Sequence, residues 1–160
     1  MTNETPPLLQ WLEARGITLQ SLIDSALEMY VPHPGIETPE KATQMLKEEF
    51  QDILTDPNVA TLITAAFHAQ EDAEKGLIPG LSIEYFMGKP GLVADELIGI
   101  AISTYIAGAK GMFEFTRFDQ AKPGILKKLG PLTNDAIGAL VAGASSNMYT
   151  RAVKGYKPLT

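Results

Sequence analysis

Cysteine is absent from the 160 residues, and with it go disulfides, thiolate nucleophiles and zinc–thiolate centres. The absence fits a reducing cytoplasm, which is where we expect the protein. Histidine is nearly absent too: His33 lies in a Pro/Gly loop, and His68 has Glu71 three residues on along an amphipathic stretch. Neither has metal-type spacing, so both stay outside the site. Basic residues are outnumbered 13 to 19, leaving a net charge of −6, which argues against nucleic acid as a partner. Gly-x-Ser-x-Gly and P-loop lysine patterns are missing, which removes the usual support for a serine hydrolase or a nucleoside triphosphatase.

Long clean hydrophobic runs are missing as well. The longest apolar stretch, Leu92 to Ala109, is interrupted by Asp95 and Glu96 and falls short of the ~20 residues that a membrane span needs. The segment 137–149 is shorter still. Peripheral contact with a membrane surface through an amphipathic face stays open. Met1 to Pro7 lacks the basic start and apolar run of a secretory leader, so the chain is expected to start as the mature protein. A chain of this length is expected to fold as one domain spanning 1–160.

What is present is helical punctuation. Pro7 starts a first helix that Gly16 stops, and Thr18 caps a second, with Leu19, Leu22, Ile23, Ala26, Leu27 and Tyr30 on one face. Thr38-Pro39-Glu40 opens a third and Asp56-Pro57 a fourth, which Gly76 closes. Residues 1–76 thus read as amphipathic helices. The Gly/Pro-rich connection from Leu77 to Gly91 holds Leu81–Met87, open to either a short helix or an extended piece. A fifth helix runs from about Leu92 through Ala109, with a continuation across Gly108 and Gly111 toward Phe115 left open. Ile125 to Leu129 is expected to make one turn. Thr133 is expected to cap a last helix reaching about Ala152, and its small apolar residues make it the central one. No run alternates long enough for a strand, and no repeat stands out. The fold class is therefore all-α, a helical bundle around a buried central helix at about 133–152.

Acids sit where this apolar pattern predicts hydrophobic residues. Burying an unpaired carboxylate is costly, so such acids are paired, bound to a cation or placed at a cleft. Asp95 and Glu96 point about 100° apart on a helix, and their structural explanation is first-turn stabilisation by the helix dipole. Asp119 and Lys122 share a helical face, as an ordinary ion pair would, with Arg117 beside them and Pro123-Gly124 following. Asp135 is read in the first turn of the last helix, again a position that favours acids, with Asn134 able to serve as a cap. The convergence of three acidic sites is nevertheless what a hard cation requires, because magnesium takes oxygen ligands and keeps water and phosphate around it.

The blocks Asp95-Glu96-Leu97-Ile98-Gly99, Asp119 with Lys122-Pro123 and Ile125, and Asn134-Asp135-Ala136-Ile137-Gly138-Ala139 resemble the phosphatidylglycerophosphatase A superfamily. The motif-bearing half, 92–152, carries the match, and the first half looks like that superfamily's soluble, all-helical branch, which is also similar to an archaeal α-ribazole-phosphate phosphatase. The resemblance implies a magnesium-dependent phosphatase acting on a phosphorylated small molecule or a lipid head group. It implies metal ligation by Asp95, Glu96, Asp119 and Asp135, and catalysis by Asp119, Lys122 and Asp135. Phosphate would be bound by Lys122, with Arg117 as a second cation. Asn134 departs from the paired aspartates of many relatives and removes one charge. Attack by water and an aspartyl-phosphate on Asp119 both fit the residues. The alternative is a helical binding or assembly protein that keeps the fold without catalysis. Packing of the small-residue helices within one chain or across a homo-oligomer fits equally.

Overall fold

Seven α-helices and one 3₁₀ turn follow one another in the computed structural model, which describes residues 4–88 and 91–155. Met1 to Asn3 of the presumed mature start, and Pro90 of the connection, lie outside the described residues. In order, the elements are α1 (Pro7–Glu13), α2 (Leu19–Glu28), α3 (Pro39–Ile53), α4 (Pro57–Glu74), α5 (Ile83–Met87), α6 (Ala94–Ala121), the 3₁₀ turn (Gly124–Lys128) and α7 (Pro131–Gly155). No strand occurs among the described residues; a lone bridge between His33 and Ile36 is the only extended pairing.

The helix starts follow from their caps. Thr18 Oγ1 accepts from the Ser21 N–H while Ser21 Oγ accepts from the Thr18 N–H, a reciprocal box that satisfies two otherwise orphaned donors. Thr38 Oγ1 caps α3 through the Lys41 N–H, and Asp56 Oδ1 caps α4 through the Asn58 N–H. Proline occupies the first turn of both helices, where its missing N–H costs nothing. The open choice at 81–87 resolves as the short helix α5, capped by Ser82.

Two elements differ from the sequence reading. The last helix begins at Pro131 instead of at Thr133. Pro131 takes the first helical position, and Thr133, two residues in, donates from Oγ1 to the Gly130 carbonyl. The larger difference is in α6. Gly108 sits inside it at φ 66°, ψ −153°, a combination open essentially to glycine alone. A straight helix would separate residues 96 and 119 by roughly 34 Å at 1.5 Å per residue, yet their carboxylates lie within 4.8 Å. α6 is therefore folded back on itself at Gly108 into two limbs, 94–107 and 109–121. Gly99 on the first limb lets the Phe115 ring of the second come so close that an added Cβ would collide with it.

The central helix is α7. It packs against both α6 and α4, and against α3, α2 and the 3₁₀ turn, and every residue from 135 to 146 is buried. A Cβ at Gly143 would stand 2.6 Å from Ile106 Cγ2, so the first limb of α6 lies almost directly on the α7 backbone. No helix of the described residues is long and apolar enough to cross a membrane.

Candidate functional site

The turn at Gly108 brings the two ends of α6 to the same place, beside the second turn of α7. Glu96 comes from the first end, Asp119 from the other and Asp135 from α7. One carboxylate oxygen from each lies within 4.8 Å of the others, close enough for three ligands of a single ion. Asp135 is 2% exposed, and its Oδ2 has no hydrogen-bond partner. A buried carboxylate oxygen left without a donor is costly, and a proton shared with Asp119 or a bound cation would satisfy it.

Lys122 lies among these oxygens. Its ammonium donates to Asp119 Oδ1, to Asn134 Oδ1 at 2.6 Å and to Asp135 Oδ1 at 3.0 Å. The backbone at Lys122 is left-handed, φ 47° and ψ 54°, and it closes α6 by donating its N–H to the Phe118 carbonyl. Among the described residues it is the one non-glycine at positive φ, a conformation that costs a side-chain-bearing residue about 1–2 kcal/mol. Asn134 keeps an oxygen turned into the site, so the missing charge does not leave a missing ligand atom.

The electrostatics follow from crowding. Burial, with a hydrogen bond shared with Asp119, pushes the Asp135 carboxyl up to about 7. Burial, then the Asp119 and Asp95 charges, raises Glu96. Burial likewise raises Asp95. For Lys122 burial works to lower the pKa, but hydrogen bonds to Asp119 and Asp135 outweigh it and raise the group. Carboxylates that resist ionisation beside one another mark a place where further positive charge is stabilising.

The expected residues do not all meet. Asp95 is absent from the three-oxygen cluster: its Oδ1 turns back to accept the Glu96 N–H at 2.9 Å, although Asp119 and Lys122 still influence its ionisation. Arg117 is bound by both oxygens of Glu114, at 2.8 and 3.0 Å. It lines a groove of about 510 Å³ between the second limb and α7, with Phe113 and Tyr149. Two residues along a helix is a turn of about 200°, which puts Arg117 on the other side of that limb from Asp119.

Two supporting residues escaped the sequence reading. Gln70 of α4 is 5% exposed; its Oε1 accepts the Leu132 N–H at 2.9 Å and so caps α7 from another helix. Ser25 Oγ accepts the Ile125 N–H at 3.0 Å and holds the 3₁₀ turn against α2. In each case the signal was a polar residue on an otherwise buried helical face, masked by polar neighbours such as Glu71 and Asp72.

No protein-family model matches the chain. It is 31% identical over 131 residues to the uncharacterized protein MJ1330 of Methanocaldococcus jannaschii, covering 79% of this chain and 99% of that protein. Among solved structures, the low temperature requirement C protein of Listeria monocytogenes superposes with a TM-score of 0.71 at 23% identity, over 90% of this chain and 93% of that one. A Bacillus stearothermophilus protein of unknown function gives 0.71 at 24% identity, over 90% and 96%. The ypjQ protein of Bacillus subtilis, assigned to DUF64, gives 0.70 at 21%, over 92% and 93%. At these identities the three structures bear on the fold, which they share as helical proteins.

Proposed function

The chain belongs to the family of the Methanocaldococcus jannaschii protein MJ1330, and for it we propose magnesium-dependent hydrolysis of a phosphate monoester. The observation that carries this reading is the buried, unpartnered Oδ2 of Asp135, set beside converging oxygens of Glu96 and Asp119. Three carboxylates, with the neutral oxygen of Asn134 nearby, are the donor set of a hard divalent cation and offer nothing to a soft one. The residues therefore fit magnesium, and Glu96, Asp119 and Asp135 would hold it. Bound there, the ion would polarise a phosphoryl oxygen and make a bound water more acidic.

The remaining chemistry belongs to the chain. Lys122 supplies a positive charge for the phosphate oxygens, and its side chain is 35% exposed. Asn134 orients that ammonium through its 2.6 Å contact. Asp119, partly exposed and paired with Lys122, stands beside the group that would hold the phosphate, where it either positions a water or takes the phosphoryl group itself. Resemblance to the phosphatidylglycerophosphatase A superfamily supports the phosphate monoester and brings phosphatidylglycerol phosphate and α-ribazole phosphate forward as substrates.

Phosphate release from both compounds, measured with magnesium and with chelator, tests the proposal. Magnesium-dependent turnover, lowered 100-fold or more in Asp119→Ala, is the expected result. A folded protein with no metal-dependent turnover on either compound leaves the non-catalytic helical module as the reading.

A further inference from the structure

We propose that Lys122 is the resident counter-cation of the carboxylate site, and that it gives way to the divalent ion and is thereby delivered to the substrate phosphate. The inference rests on the phosphatase reading and adds to it an order of events: metal first, phosphate second.

An ammonium has three N–H donors, and those of Lys122 go to Asp119, Asn134 and Asp135. Two of these acceptors are carboxylates of the three-oxygen cluster. The ammonium therefore sits where an ion joining Asp119 to Asp135 would sit. Like charges at such a separation repel strongly in a half-buried place, so the two cations exclude each other from these oxygens.

Lys122 serves the site incompletely. Among the described residues, its hydrogen bonds leave out Glu96, the third carboxylate, and Asp135 Oδ2 stays unpartnered. Three carboxylates against one ammonium leave an excess of two negative charges when all are ionised, and a divalent ion in the ammonium's place leaves an excess of one. The lysine is sufficient to hold the acids together and insufficient to satisfy them.

The backbone points the same way. A left-handed helix end is glycine's place, and a lysine there is accepted at a conformational cost. Strain of this kind, tied to a charged side chain in a site, is a mark of function. The residue is anchored at its backbone, through the Phe118 carbonyl. Its four-carbon stem is partly exposed, and a change of rotamer along it would take the ammonium off the carboxylates without any helix moving.

The test is Mn²⁺ binding by calorimetry, followed by inorganic phosphate binding with and without Mn²⁺, on the full chain and on Lys122→Met and Lys122→Gly. Glycine relieves the left-handed backbone, so that variant keeps the measurement valid if methionine disturbs folding. Removing the competing charge is expected to tighten Mn²⁺ by about tenfold, the effect of one unit of electrostatic shift. Wild-type protein is expected to bind phosphate only after Mn²⁺, and the variants to bind it at least about tenfold more weakly than wild type when metal is present. Equal or weaker Mn²⁺ affinity in both variants, with metal-dependent turnover intact in the wild type, overturns the exchange and leaves the phosphatase reading standing. Failure of the folded wild type and of both variants to bind Mn²⁺ overturns both.

Discussion

Replacing Gly108 by alanine isolates the turn on which the site depends. An added Cβ at this position meets nothing within 4 Å, so no steric contact contributes and the entire effect is conformational. The glycine's φ 66°, ψ −153° lies in a region that costs other residues about 1–3 kcal/mol. At roughly 2–4 °C per kcal/mol for a chain of this size, the melting temperature should fall by about 2–12 °C. The site should suffer more than the fold. Glu96 and Asp119 stand 12 and 11 residues from the turn, or roughly 17 Å along each limb, so a change of about 10° in the angle between limbs displaces their carboxylates by about 3 Å. Urea denaturation and Mn²⁺ titration of the same preparation measure both effects. Gly138→Ala is the control, because its Cβ would rest at an ordinary 3.4 Å from Leu126; helix propensity alone predicts a gain of up to about 1 kcal/mol. A Gly108→Ala protein with unchanged midpoint and unchanged metal affinity would refute the hairpin as the organiser of the site.

Two further expectations concern its supports. The raised pKa of Asp135, about 7 against an ordinary 3.8, means that the folded chain holds a proton there which the unfolded chain has released. In chelator, this group's stabilising contribution should be complete below about pH 4 and lost as pH rises through 7, a change on the order of 4 kcal/mol. Urea midpoints across that window should show the decline in the wild type and a flatter profile in Asp135→Asn; parallel profiles would assign the slope elsewhere. Gln70→Leu removes the acceptor of the Leu132 N–H and should cost about 1–3 kcal/mol. Faster amide exchange at Leu132 should accompany it, and unchanged exchange would show that the clasp does not hold the start of α7.

Helix starts were legible because capping is local: Thr18, Thr38 and Asp56 act within three residues of themselves. The reversal in α6 was not, because both limbs bury one side against α7 and the helical period continues across Gly108 as though the helix did. Direction is carried there by one residue's φ, which a hydrophobic pattern does not record. At the start of α7 two signals competed, and Pro131 prevailed over Thr133 because Gln70, 62 residues away in sequence, supplies the cap that threonine would have given. The acids were conspicuous as charges in apolar surroundings. Which of Asp95 and Glu96 faces Asp119 depends on about 100° of rotation that only packing decides, and the same limit applies to Arg117, near in sequence and on the far side of its limb.

Asp135 rides on a helix with no solvent-facing side for the three turns that follow it. Such a segment cannot fray, tilt or slide without opening the core, so its local unfolding is the unfolding of the protein. Any motion the site needs is left to its other members: Glu96 near a helix start at the surface, and Lys122 on a long stem. The carboxylate that is hardest to ionise is thus also the fixed point of the site, and the groups that adjust to a ligand are those that solvent reaches.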